Sequence, residues 1–396
     1  MKISIIIVSF NVKYFLEQCL CSVNKAIASF DRLRIAGDGN AEIFVVDNNS
    51  SDDTIAYLQT RFPLVKFISN KENTGFAKAN NQALRMTNGE FILFLNPDTI
   101  LPENFFLKCI AFMEQDKHMG AVGVQMIDGT GTYLKESKRG FPTTWVSFCR
   151  LSGLTNLFPH TELFAKYYLG HLDRNENHEA EALSGACMFI KKEVLDTCGG
   201  FDERFFMYAE DIDLSYRINL SGYTNFYLAD VTIIHFKGES TTKDIRYVQL
   251  FYRAMIQFVQ KHYSGTRGRL YTQFLRMAIG FRSLFAVGSL HLTGQTLKQE
   301  AGMRKILFKG DASCIKEIRH LIPGSGVSTI VEDSTEAHET IFCEGQDFSF
   351  NEMIDYMKRS PGKSYKIHSQ DSSSIIGSDD SQSAGTVMVL SKKVTK

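Results

Sequence analysis

Residues 42–54 read EIFVVDNNSSDDT. An apolar, β-prone run ends in an acid and two amides, Asp47, Asn48 and Asn49, and then passes into a helical pattern over Asp52–Arg61. A short continuous apolar run closed by turn residues reads as a strand buried on both faces. The same unit recurs on either side. Upstream, Ile3–Ser9 is an apolar strand closed by Ser9 and Asn11, and a helix follows near Lys13–Ala28. Downstream, Val65–Ser69 leads through Asn70 and Asn73 to a helix over Phe76–Met86, and Phe91–Leu95 runs into Asn96-Pro97-Asp98. This βαβα rhythm predicts an α/β fold with a mostly parallel central sheet and helices on both faces. Ligands in such sheets bind at the carboxyl ends of the strands, which is where these polar residues collect.

The chain has 396 residues, enough for two or three domains. Lys plus Arg and Asp plus Glu each number 44, so no global field draws it to nucleic acid. Its eight cysteines include no C-x-x-C pair, which argues against a zinc site or disulfide framework and for a reducing compartment. The start, MKISIIIVSFN, has too short an apolar core for a signal peptide and reads as the first strand. No run is long enough to span a bilayer, so a cytoplasmic location is expected.

Beyond Gly120 the pattern loosens, and an irregular insert is expected to Asn177, rich in aromatics over Phe141–Phe158. Glu181–Ile190 and Val231–Phe236 read as further strands. Ile245–Gln299 carries basic residues, among them Arg246, Arg253, Lys261, Arg267, Arg269, Arg276 and Arg282, and no acids. Helices over Tyr247–His262 and Arg269–Leu290 fit it. They suit either an ordinary packed subdomain or a membrane interface beside anionic lipid. The predicted division is 1–244, 245–304 and 305–396. The last is a small α/β unit with strands at Thr340–Cys343, Ser364–His368 and Thr386–Leu390, a helix at Phe350–Met357 and a loop at Ser372–Gln382.

Four constellations carry chemistry. Asp47 can accept hydrogen bonds from a ribose or a base. The helix opened by Asn73-Thr74-Gly75, with Lys78 one turn inside, suits a diphosphate. Pro97 stops strand pairing and presents Asp98, and a diphosphate beside a carboxylate needs a bridging cation, Mg²⁺ or Mn²⁺. His235 is a candidate further ligand. Glu210, Asp211 and Asp213 crowd the start of a short helix after GGFDERFFMYA. They read as helix caps or as the wall of a site.

The motifs SIIIVSFN, VVDNNSSDDT, NTGFAKANNQAL, FLNPDT and GGFDERFFMYAEDIDLSYR, with His235, stand in the order and spacing of family-2 inverting glycosyltransferases. Residues 1–265 resemble that family, and most of all its rhamnosyltransferase-like branch in bacterial surface polysaccharide biosynthesis. The resemblance implies a GT-A fold and a metal-dependent hexosyl-type transferase. Asp47, with Ser9, Asn11, Asn73, Lys78 and Asn96, would contact a dTDP- or UDP-linked donor. Asp98 and His235 would hold the metal, Asp211 would be the base, and Glu210 and Asp213 would orient the acceptor or support the loop. Asn96 departs from the family's D-x-D motif and brings no charge to the metal. A base facing Phe206 and Tyr208 would have its pKa raised by desolvation.

A dinucleotide-dependent oxidoreductase or a nucleotidyltransferase would need a Gly-rich turn after the first strand, which Ser9-Phe10-Asn11-Val12 lacks. The remaining rival is a non-catalytic sugar-nucleotide or glycan-binding protein. The basic helices suggest a lipid-linked glycan acceptor and peripheral contact with the cytoplasmic face of the inner membrane. The last unit distantly resembles nucleotide-sugar-binding α/β domains, which suggests regulation or partner docking.

Overall fold

The computed structural model describes residues 3–33, 41–237, 245–263, 265–266, 268–277, 304–321, 328–331, 336–379 and 385–390. The first part builds a mixed sheet. β1 (Ile3–Ser9), α1 (Lys13–Leu33), β2 (Ala41–Asp47), α2 (Thr54–Leu58), β3 (Lys66–Ser69), α3 (Phe76–Leu84) and β4 (Phe91–Leu95) alternate as expected. After them come β5 (Thr99–Ile100), α4 (Phe105–Met113), β6 (Met119–Ile127) and β7 (Lys138–Arg139). Short helices α5 (Thr144–Leu151), α6 (Leu154–Leu157) and α7 (Glu162–Ala165) make up much of the insert. They are followed by β8 (His178–Glu179), β9 (Ala182–Leu183), β10 (Cys187–Lys191), α8 (Lys192–Cys198), α9 (Glu210–Leu220), β11 (Thr224–His235) and α10 (Ile245–His262).

The sheet order is β3-β2-β1-β4-β10-β6-β11-β5, with β8 also paired to β11. The pairs β2–β3, β1–β2, β1–β4 and β6–β11 are parallel, and β10 runs antiparallel between β4 and β6. This is the mostly parallel sheet with flanking helices expected of a GT-A transferase. Strand alternation sorts the core onto two faces. Ile3, Ile5 and Ile7 pack with α1 and α4, while Ile6 and Val8 pack with α3, α8 and α9.

Glu181–Ile190 does not form the single strand expected. It breaks at Ser184-Gly185, where Cys187 N–H bonds back to Ser184. The first piece, β9, pairs with β7, and the second enters the main sheet. An almost continuous apolar run hides such a break. The helix over Tyr247–His262 is present in α10, but its apolar face is not free for a membrane. Ala254, Met255, Phe258 and Val259 are buried against Phe205, Ala209 and Ile212. Ordinary packing applies there, because a domain face was available to cover the stripe. Residues 268–277 are helical, and the remainder of the helix expected to Leu290 lies outside the described residues.

A second sheet holds β12 (Arg304–Gly310), β13 (Ser328–Val331), β14 (Glu339–Glu344), β15 (Ser364–Ser369), β16 (Ser374–Ser378) and β17 (Thr386–Val389) in the order β13-β12-β14-β15-β16-β17. Its helices are Ala312–Arg319 and Phe350–Arg359, the latter closed by a Ser349/Glu352 capping box. The loop expected at Ser372–Gln382 is a correction, since β16 occupies part of it. Its serines are buried in polar contacts, so composition alone conceals the strand.

This unit shares its core with the first sheet. Phe350, Met353, Ile354, Met357, Tyr365 and Ile367 lie in one apolar cluster with β1, α1 and α4. The buried Glu17 on α1 accepts from Ser373 N (3.2 Å) and Ser374 Oγ (2.6 Å). Gln18 donates to the Ser374 carbonyl at 2.8 Å and accepts from Ser369 N at 3.1 Å. Glu103 caps the helix Phe350–Arg359 by accepting from Phe350 N (2.8 Å) and Asn351 N (2.9 Å). No helix among the described residues is long and apolar enough to cross a membrane.

Candidate functional site

The carboxyl ends of β1 and β2 lie in register, Ser9 beside Asp47. Both side chains are buried, and Ser9 Oγ and Asp47 Oδ1 have no hydrogen-bond partner. Asp47 Oδ2 accepts from Ser50 N at 3.0 Å. Buried polar atoms are nearly always paired, so these two mark a place built for a ligand's donors. Asn48 is the hub of the neighbouring loop. Its amide donates to Asn73 Oδ1 and the Gly75 carbonyl, and its oxygen accepts from Asn70 and Thr74. Asn73 is thereby a loop anchor, and its oxygen also accepts from Gly75 N at 3.0 Å. Asn11 takes a left-handed backbone, φ 54°, and ties the first two loops by accepting from Ser51 N at 2.7 Å.

The first amide of α3 is not open. Phe76 N donates to the Phe206 carbonyl at 2.8 Å, and a Cβ at Gly75 would fall 2.6 Å from that oxygen. Lys78 is exposed and lines a surface groove with Asn70, Thr74, Gln82 and Arg85, apart from Asp47 and Asp98.

A second corner forms at the end of β4. Asn96 is pinned, its N–H on the Ala186 carbonyl and its own carbonyl taken by Thr99 Oγ1. β5 then pairs antiparallel with β11, Thr99 opposite His235, and this register sets Asp98 beside the imidazole. His235 Nε2 stands 3.4 Å from Asp98 Oδ1 and 3.4 Å from Asn96 Nδ2. Asp98 Oδ1 and His235 Nδ1 are buried without hydrogen-bond partners. A carboxylate oxygen and an imidazole nitrogen converging in this way fit a divalent cation. They are only two donors, and among the described residues no group of three His, Cys, Asp or Glu forms a cage. A cation here would need oxygens from a bound diphosphate.

The third corner opens α9. Tyr208 and Ala209 both have positive φ, 72° and 63°, a conformation non-glycine residues seldom adopt and one that clusters at functional sites. This turn swings Glu210 and Asp211 into the first helical turn, both buried. Asp211 Oδ2 accepts from Gly185 N at 2.9 Å and is ion-paired to Arg139. Arg139 comes from β7, held by the β7–β9 pairing and by a 2.7 Å bond to the Leu183 carbonyl. Gly185 and Ala186 are consecutive and bond to Asp211 and Asn96 respectively, so the second and third corners flank a single turn. Tyr167, Tyr208, Phe251 and Met255 line a pocket against the Glu210–Asp211 pair, so α10 forms one of its walls.

Burial, then the charge of Asp211, pushes the Glu210 carboxyl up to about 8. Its Oε2 has no partner. A carboxyl raised above its ordinary value favours the fold while protonated. That contribution is present in full below about 4.5 and is lost as pH rises through about 8. Glu210→Gln is therefore expected to flatten the fall in stability over this window. Chemical denaturation at acid, neutral and alkaline pH measures it, and an unchanged slope refutes the buried neutral carboxyl.

Asp213 is fully buried and turned away from the pocket. Arg217 (2.8 Å), Lys261 (2.5 Å) and His262 (2.7 Å) surround it, and Lys261 also reaches Asp202. Burial would raise its carboxyl, yet these partners hold it below the ordinary value. It fastens α9 to α10 and has no oxygen aimed at the pocket, so of its two expected roles the structure fits support. Sequence reasoning missed Arg139 and treated Asn48 only as part of a polar strand end. Arg139 has no local signal, since its partner is far along the chain.

The sequence model of Glycosyl transferase family 2 matches residues 4–199. The N-acetylglucosaminyl-diphospho-decaprenol L-rhamnosyltransferase of Mycobacterium tuberculosis is 24% identical over 269 residues, 65% of this chain and 87% of that protein. The O-antigen biosynthesis protein RfbC of Myxococcus xanthus is 27% identical over 209 residues, 51% of this chain and 15% of that protein. Among solved structures, S. aureus TarS 1-349 is 18% identical with a TM-score of 0.43, covering 76% of this chain and 77% of that one. The mannosyltransferase PcManGT from Pyrobaculum calidifontis, solved with GDP-Man and Mn²⁺, is 16% identical with a TM-score of 0.45, covering 74% of this chain and 76% of that one. With its motifs on one sheet edge and residues 4–199 matched, the chain carries a glycosyl transferase family 2 domain and is rhamnosyltransferase-like.

Proposed function

We propose that this protein is an inverting glycosyltransferase that moves a sugar, rhamnose in the favoured case, from a dTDP- or UDP-linked donor to a hydroxyl of a lipid-linked glycan. One observation carries the reading. Ser9 Oγ, Asp47 Oδ1 and Asp98 Oδ1, at or just after the carboxyl ends of β1, β2 and β4, and Glu210 Oε2 at the start of α9, are all buried without a hydrogen-bond partner. Ser9 and Asp47 would receive the nucleoside, and Asn48 would hold the loop beside it. Asp98 and His235 would hold Mg²⁺ or Mn²⁺, which when bound supplies positive charge against the departing diphosphate. Asp211 would take the proton of the acceptor hydroxyl as that oxygen attacks the anomeric carbon from the face opposite the leaving group. Arg139 would orient Asp211, and the pocket walled by Tyr208, Phe251 and Met255 would exclude water. The lipid-linked acceptor draws support from the mycobacterial relative, an N-acetylglucosaminyl-diphospho-decaprenol L-rhamnosyltransferase.

Screening a panel of nucleotide sugars for divalent-dependent release of nucleoside diphosphate tests the reading. UDP-glucose and UDP-galactose belong in the panel beside dTDP-rhamnose. Asp98→Ala is expected to lose donor affinity measured by calorimetry with metal present, and unchanged affinity removes Asp98 from the site. A purified protein that binds a donor but never releases its diphosphate, even slowly by hydrolysis, would instead be the non-catalytic binding protein.

A further inference from the structure

The insert between β7 and β8 presents an apolar surface that the transfer reaction does not use. Trp145 (45% exposed), Leu157 (70%) and Leu163 (60%) stand out on α5, α6 and α7, with Phe148 and Phe158 exposed beside them. The rings form one patch. Trp145 lies 5.6 Å from Phe148 and 6.0 Å from Phe164, and Phe158 lies 5.2 Å from Phe164. The indole N–H is satisfied by the Leu163 carbonyl at 2.9 Å, so the ring can sit at an apolar boundary without an orphaned donor.

The patch continues onto the helical residues 268–277. Phe274 meets Phe148 at 6.3 Å, and Tyr271 bonds to Ser147 Oγ at 2.7 Å. Leu270, Phe274 and Met277 follow helical spacing, and Leu270 (61% exposed) and Met277 (60%) extend the apolar stripe. Arg269, Gln273 and Arg276 make the adjoining stripe, and both arginines are exposed. They line a groove with Gln260, Tyr263 and Thr272 that contains no acid. The buried Tyr271 also bonds to the Pro142 carbonyl, and Pro142 lines the pocket of Asp211, so the helix that carries the patch adjoins that pocket's wall.

Exposed aromatic and aliphatic side chains bordered by arginines, with Glu162 at the start of α7 the one acid among α5–α7 and residues 268–277, complement an interface of anionic headgroups over acyl chains. A second copy of this chain would bring the same arginines against one another, which disfavours a self-paired face. We infer that α5–α7 and residues 268–277 form a docking surface for an anionic phospholipid bilayer, seating the acceptor pocket at the membrane surface. The inference stands on this surface and not on the transfer reaction, so vesicle binding without donor or acceptor reads it separately.

The protein carries its own probe, because Trp145 is the only tryptophan. Full-length protein is mixed with vesicles of phosphatidylglycerol and phosphatidylethanolamine, and separately with vesicles of phosphatidylcholine, at low salt. A blue shift of tryptophan emission and co-flotation with the anionic vesicles alone are expected. The R269Q/R276Q pair should weaken this binding on the order of thirtyfold. The L157S/L163S pair should weaken it on the order of tenfold and reduce the blue shift. The inference is overturned if emission stays unshifted and the protein remains in the soluble fraction. Equal binding by both double variants overturns it, as does concentration-dependent self-association that the same substitutions abolish.

Discussion

Asp211→Asn is expected to abolish sugar transfer while donor affinity stays at the wild-type value. A positioned general base contributes on the order of 10²–10⁴ in rate, and asparagine cannot accept the proton. The substitution preserves size and keeps an oxygen for the Gly185 amide. It also leaves the buried Arg139 without its counter-charge, so a loss of stability accompanies the loss of rate. Calorimetry with the donor separates the two effects, because the donor corner at Ser9 and Asp47 is built from other strands. A variant with near wild-type turnover would falsify the assignment. A variant that folds and turns over slowly fits it, and any recovery as pH rises through about 8 would trace to Glu210, the carboxyl that remains beside position 211. If Glu210→Gln proves the more damaging of the two in rate, the base is the neighbouring carboxyl.

Removing residues 304–396 is expected to destroy the fold of the transferase sheet, although residues 4–199 alone carry the family match. Phe350, Met353, Ile354 and Met357 are at most 2% exposed and sit in the cluster that contains Ile5, Ile7 and Leu16. Losing an interface of four such side chains, at about 1.5–3 kcal/mol each, is comparable to a domain's whole stability of about 5–15 kcal/mol. Glu17 and Gln18, both fully buried, would also lose partners on Ser369, Ser373 and Ser374. The full chain should therefore melt in a single transition that Ile354→Asp lowers as a whole. Two well-separated transitions, or a soluble fragment with native circular dichroism, would show that the units are independent.

The sheet was legible because β1, β2 and β4 are largely apolar runs closed by their own turn residues, which needs no distant information. Asp211 was legible because its acidic neighbours are crowded in sequence. Other features depend on partners that lie far away. Arg139 acquires meaning only through the β7–β9 pairing that carries it to Asp211. β16 reads as a serine-rich loop until Glu17 and Gln18 of α1 satisfy its polar groups. The charge and apolar stripe of α10 suit lipid or protein equally, and only the packed face of Phe205 and Ile212 decides between them. The proposed bilayer surface joins residues 268–277, whose basic, acid-free sequence did point to it, to the insert, where low regularity left no pattern to follow.

Phe206 rests on Gly75, its carbonyl holding the first amide of α3. The turn that carries Glu210 and Asp211 therefore bears directly on the loop that Asn48 organises beside the donor corner. Occupancy on one side would be felt on the other if it moved this contact, and thermodynamic linkage makes any such coupling reciprocal. A donor that settles the 73–75 loop would settle the catalytic turn with it, which gives an enzyme of this shape a physical reason to load its two substrates in a fixed sequence. Kinetic order would then be a property of one glycine, since any side chain at position 75 would part the two halves.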